Sequence, residues 1–76
     1  MKELVEFMAK NLVNEPPQVR VKRIERPHME VLRLHVAQED MGRVIGKQGR
    51  TAKAMRTLLN AKATRENKRA VLQILE

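Results

Sequence analysis

The chain has 76 residues, no cysteine, and a formal charge of +7 from sixteen Lys and Arg against nine Asp and Glu. A chain of this length buries only about 60% of the surface its unfolded form exposes, and without cysteine neither disulfides nor thiolate-bound zinc can compensate for a small core. The start is charged, Met1-Lys2-Glu3, and no apolar run exceeds three residues, so no signal peptide or membrane span is expected and the reading is cytoplasmic.

The apolar supply is mostly Val, Ile, Leu, Met and Ala, with Phe7 as the one aromatic residue, expected in the core. Such a supply suits helices packed in one layer on a sheet. From Glu3 to Asn14 the apolar residues Leu4, Val5, Met8 and Leu12 follow the spacing of one helical face. Pro16 and Pro17 stop that helix, because proline lacks the amide donor and disfavours helix in the residue before it. Val19-Arg20-Val21-Lys22 alternates apolar and basic, and Leu32, Leu34 and Val36 alternate with Val31, Arg33 and His35. Two strands are predicted, joined through a turn at Glu25-Arg26-Pro27-His28 as an antiparallel hairpin.

Between the second strand and a third at Ala70-Val71-Leu72-Gln73-Ile74-Leu75, residues 38 to 68 are long enough for a crossover that lays the third strand parallel to the second. An unbroken apolar start marks this third strand as the more buried one. The crossover holds two helices. The first is short, with Glu39 and Asp40 where a helix N-terminus favours negative charge, and it ends at Gly46. The second begins near Arg50; Thr51, Ala52, Met55, Leu58 and Leu59 share one stripe, and Arg50, Lys53, Thr57 and Asn60 lie opposite. The order is helix, strand, strand, helix, helix, strand, one α+β unit over residues 1–76.

Charge is concentrated in that crossover. From Arg43 to Arg69 there are nine basic residues and one acid, Glu66, a net charge of +8, while the rest of the chain is about neutral. Clustering of this kind favours a polyanionic partner over a merely solvated basic surface. At its start lies Gly42-Arg43-Val44-Ile45-Gly46-Lys47-Gln48-Gly49-Arg50. Two glycines three apart permit a tight turn with positive backbone torsions and present no side chain to hold off a ligand backbone. The turn runs into a helix N-terminus, whose free amides and dipole attract anions, and Lys47 and Arg50 add full charges. Val44 and Ile45 are expected to offer apolar contact to a base, Ile45 being the one to face the groove, and Gly42, costly inside a helix, is expected to answer a close approach. Two glycines at this spacing often form only a helix-to-helix turn; the flanking Ile45, the basic residues and the two-helix context raise the motif above that.

This stretch resembles the KH domain, whose I-G-x-x-G signature stands here as Ile45-Gly46-Lys47-Gln48-Gly49 and whose loop clamps about four nucleotides of single-stranded RNA. A helix and strand placed before the strand-helix-helix-strand core (about residues 29–76) resemble the bacterial type II arrangement, with a three-stranded mixed sheet and helices on one face. The runs 40–50 and Leu12-Val13-Asn14-Glu15-Pro16 are similar to those of small bacterial proteins made of one KH domain. The resemblance implies a cytoplasmic RNA-binding protein, a post-transcriptional regulator or RNA chaperone, that pairs with itself or with a larger KH-containing protein linked to cell elongation and division. It assigns RNA contact to Gly42, Arg43, Ile45, Gly46, Lys47, Gln48, Gly49, Arg50 and Lys53. One departure is the basic first strand, with Arg20, Lys22 and Arg23, which leaves room for a phosphate contact outside the loop.

Enzymatic readings fit poorly. A hydrolysing P-loop needs G-x-x-x-x-G-K-[ST] after a strand; here Gly42 to Gly46 is one residue short and Gln48 follows the lysine. His28 and His35 have no ligand-spaced carboxylates nearby, and the chain has no Ser or Cys nucleophile. No cofactor, metal, membrane or small-molecule substrate is expected. The competing reading is a dimerisation adaptor with secondary RNA contact. It draws weight from the scarcity of aromatics, since stacking on rings contributes about 1–3 kcal/mol per base in many single-strand binders.

Overall fold

The computed structural model describes all residues, Met1 to Glu76. Helix α1 spans Lys2–Leu12, strands β1 and β2 span Arg20–Arg26 and Met29–His35, helices α2 and α3 span Met41–Ile45 and Arg50–Arg65, and strand β3 spans Arg69–Leu75. This is the α+β, type II KH arrangement, with a three-stranded sheet ordered β1-β2-β3. Strand β1 pairs antiparallel to β2, and β3 pairs parallel to it.

The helices cover one face of the sheet. Along β2, Glu30, Leu32 and Leu34 are buried toward the helices, while Met29, Val31, Arg33 and His35 are only partly covered. Val5 and Ala9 of α1, Val44 of α2, and Met55, Leu59 and Ala63 of α3 close the core over Val21, Leu32, Leu34, Ala70 and Leu72. Ala9 belongs to the buried face of α1, while Leu4, Met8 and Leu12 pack at its margin.

Several local expectations are corrected. Helix α1 ends at Leu12, where Val13 turns extended, before the prolines are reached. Glu25 and Arg26 lie in β1, so the hairpin loop is Pro27-His28 alone, with His28 at φ 62°. Strand β3 is an edge strand with alternating burial rather than a deeply buried one. Phe7 is 68% exposed and Leu58 is 55% exposed, so neither is core.

Asp40 is wholly buried and caps no helix through its side chain. Its carboxylate accepts the backbone N–H groups of Asn14 and Glu15 at 3.1 and 3.0 Å, tying the segment after α1 to the start of α2. Helix α3 ends with Asn67 at φ 58° and the Lys68 amide bonded back to the Ala63 carbonyl at 2.9 Å, an αL cap that turns the chain into β3. At the same end, the buried Glu30 carboxylate is answered by Lys68 at 3.7 Å and Arg23 at 4.0 Å. Arg23 therefore points to the helix side, its charge engaged by Glu30 and by Glu25 at 3.9 Å.

Candidate nucleic-acid interface

Helix α2 stops because Gly46 leaves the helical region, at φ 78°, ψ 170°, while its amide still bonds the Gly42 carbonyl at 2.8 Å. That combination of torsions is one only glycine adopts readily. Space imposes the same choice: a Cβ on Gly46 would collide with the Thr51 side chain, lying 2.7 Å from its Cβ and 2.9 Å from its backbone nitrogen. Gln48 and Gly49 then follow in the left-handed region, at φ 58° and φ 75°. The Gly49 amide closes the turn on the Gly46 carbonyl at 3.0 Å. At Gly49 a Cβ would meet nothing within 4 Å, so backbone torsion alone favours glycine there.

This turn delivers the chain into α3, sixteen residues long, whose first amides have no partner within the helix and whose dipole is positive at that end. Lys47, Gln48, Arg50 and Lys53 are all exposed around it. Arg50 donates to the Gln48 side-chain oxygen at 3.1 Å. Arg50 and Lys53 are three apart and so share a side of α3. On α2, Ile45 is 38% exposed beside the glycines, whereas Val44, also expected to meet a base, is buried in the core and has no surface to offer one.

Two expected site residues differ from the rest. Arg43 sits 3.7 Å from Asp40. With the Asn14 amide turned so that its oxygen faces the guanidinium, it also donates to Asn14 at 2.9 Å, so part of its charge is spent inside the protein. Gly42 is exposed in α2 with nothing within 4 Å of a Cβ placed on it. No part of the protein itself approaches it closely.

Sequence reasoning missed Thr51 and Arg56. Thr51 lies on the apolar stripe of α3, and its side chain fills the space a Cβ on Gly46 would need. Arg56 reaches across from α3 to donate to the Leu72 carbonyl of edge strand β3 at 3.1 Å. The Asn60 side chain faces the Ala70 amide at 3.4 Å. These contacts fix the edge of β3 against α3, which i,i+4 spacing alone could not reveal.

The family model described as KhpA/KhpB, KH domain, matches residues 2–74. A protein of Clostridium perfringens named RNA-binding protein KhpA is 52% identical over 75 residues, covering 99% of this chain and 100% of that protein. One of the same name from Chlamydia pneumoniae is 47% identical over 76 residues, covering 100% of this chain and 97% of that protein. Among solved structures, Aquifex aeolicus Era superposes on 97% of this chain with a TM-score of 0.64 at 22% identity. Era in complex with a piece of 16S ribosomal RNA does so with a TM-score of 0.58 at 24% identity. The chain spans only 29% and 28% of those two structures, and the likeness is one of fold.

Proposed function

The chain belongs to the KhpA/KhpB KH-domain family, and from that premise we propose that it is an RNA-binding protein whose loop Gly46-Lys47-Gln48-Gly49 clamps single-stranded RNA. The observation that carries this reading is the loop geometry: Gly46 and Gly49 at positive φ, adding no side chain of their own beside the α3 N-terminus, and exposed Lys47, Arg50 and Lys53 around it. A phosphate chain approaching the turn meets the positive end of the helix dipole and full positive charges together. Gly42, Arg43, Ile45 and Gln48 complete the contact set, with Ile45 offering apolar surface to a base. The chain is not an enzyme; its curated relatives are RNA-binding proteins by name. No helix is long and apolar enough to cross a membrane.

Its cellular role, on this reading, is that of a cytoplasmic post-transcriptional regulator or RNA chaperone acting as a dimer, with itself or with KhpB, in cell elongation and division. Self-association has separate support. An open groove of about 290 Å³ between α1 and α3 is lined by Phe7, Met8, Leu12, Ala54, Met55 and Leu58, together with Asn11 and Thr51. None of these carries charge, so two chains of +7 can meet there without forcing cations together. A second copy of this chain is the occupant, and a KhpB partner would use the same groove. Two loops on one RNA would raise avidity where each alone holds few nucleotides. The same groove favours the adaptor as the second reading.

Competition tests the clamp. Unlabelled single-stranded RNA should displace labelled RNA far better than duplex DNA does, because the loop admits one unstacked strand. Equal displacement by duplex DNA at moderate salt overturns it, and an abundant dimer that never shifts with RNA in gel filtration favours the adaptor.

A further inference from the structure

The face of the sheet turned away from the helices is left uncovered, and its composition is unusual. In register across the strands it carries Arg20 beside His35 and Leu75, Lys22 beside Arg33 and Gln73, Ile24 beside Val31 and Val71, and Arg26 beside Met29 and Arg69. It holds five full cations, Arg20, Lys22, Arg26, Arg33 and Arg69, and no carboxylate side chain. Every salt bridge of the chain lies elsewhere, on Arg23, Glu25, Glu30, Asp40, Arg43 and Lys68. Lys22 and Arg33 are direct cross-strand partners, an arrangement that like charges disfavour. Arg26 and Arg69 lie on the two edge strands, one to either side of Met29. Arg20 donates to the Pro17 and Val19 carbonyls and Arg33 to the Gln73 side chain, but no carboxylate answers any of the five, because the acids of the same strands, Glu25 and Glu30, sit on the other side.

We propose that this open sheet face is a second RNA-binding surface, which holds the sugar–phosphate backbone of a strand without reading its bases. The inference rests on the RNA-binding reading of the chain and extends it beyond the glycine loop. Successive rows on one face lie about 7 Å apart along the strands. Two cationic rows therefore lie at one end and one at the other, with the β-branched row Ile24, Val31 and Val71 between them. Phosphates meet the charged rows and riboses the apolar one. No Phe, Tyr or Trp lies on this face, so contact is chiefly electrostatic and independent of sequence. A strand leaving the loop can reach it, because the domain is thin, 35 × 23 × 16 Å, and about 24 nucleotides extend roughly 80 Å even at a stacked rise of 3.4 Å per nucleotide.

The test uses the full chain, a hexanucleotide too short to run from the loop to the sheet face, for which the loop is the preferred site, and a strand of about 24 nucleotides. For the parent protein the hexanucleotide should show a salt slope near −2, from about three phosphates, and the long strand a slope beyond about −4. The variant Lys22→Gln, Arg33→Gln, Arg69→Gln should bind the hexanucleotide as the parent does. On the long strand its slope should be shallower by about 2, so that its loss of affinity between 50 and 200 mM salt is roughly twentyfold smaller. The variant loses the Arg33 hydrogen bond to Gln73 at 3.0 Å but is relieved of the Lys22–Arg33 repulsion. Its melting temperature is therefore expected near the parent's and is measured on the same sample, which separates misfolding from lost contact. Parental affinity and slope on the long strand overturn the second surface and leave the loop clamp standing. A parent that binds neither RNA overturns both. A variant that keeps its RNA affinity but loses binding to phosphatidylserine-containing vesicles overturns the proposal in favour of an anionic membrane surface.

Discussion

The Thr51 side chain occupies the space that a Cβ on Gly46 would need, so the first residue of the glycine turn and the first full turn of α3 are fitted to one another. Replacing Gly46 by Ala therefore meets two obstacles at once, the collision and a backbone region, φ 78°, ψ 170°, that non-glycine residues rarely enter. The variant should lose at least about 1–3 kcal/mol of stability and bind RNA more weakly. Gly49→Ala meets only the torsional penalty and should cost less. Denaturant unfolding of the two variants side by side checks the order; equal losses would contradict the role given to Thr51.

Replacing both Lys47 and Gln48 by Asp leaves the glycines in place and touches only exposed side chains. Each such change usually moves stability by no more than about 0.5 kcal/mol, yet one positive and one neutral group become two negative ones beside the α3 N-terminus. Hexanucleotide binding should be abolished while melting temperature and dimer content stay near parental. A folded double variant that binds the hexanucleotide with parental affinity would sink the loop assignment.

Gly42→Ala separates stability from function. The site is helical and open, so alanine should stabilise the chain by about 0.5–1 kcal/mol, raising the melting temperature by several degrees in a domain of this size. If a ligand backbone passes over Gly42, RNA affinity falls in the same variant. A rise in stability with unchanged affinity removes Gly42 from the contact set.

Leu58→Lys addresses self-association. Because Leu58 is 55% exposed in the single chain, the substitution should leave the monomer folded, yet it places a charge in an otherwise uncharged groove beside Phe7. Sedimentation should show a dimer become a monomer, and avidity for long RNA should fall while hexanucleotide affinity holds. A dimer of undiminished strength would place the interface elsewhere.

Much of the architecture was legible because it is written in local periodicity. The two-residue alternation of β2, the 3.6-residue stripe through Ala52, Met55 and Leu59, and the paired glycines each describe their own segment. Their order then left few topologies open. Leu58 shares the α3 stripe yet is 55% exposed, because periodicity finds an apolar stripe but does not say how wide a neighbouring element covers it. Phe7, the one aromatic residue, is 68% exposed because composition does not say which face a side chain takes. Asp40 reads as a helix-start acid until α1 is docked, when the Asn14 and Glu15 amides come within 3.1 Å of it.

From its residues alone, then, the chain determined its element types, the turn at Gly46 to Gly49, and the excess of positive charge near it, since backbone torsion, helical spacing and formal charge are local properties. Tertiary structure decided which charges remain free. Pleating sends Arg23, Glu25 and Glu30 to the helix side, where they pair with one another and with Lys68. It sends Arg20, Lys22, Arg26, Arg33 and Arg69 to the other face, where no carboxylate meets them. That partition depends on register across three strands, and a shift of one residue would have reversed it.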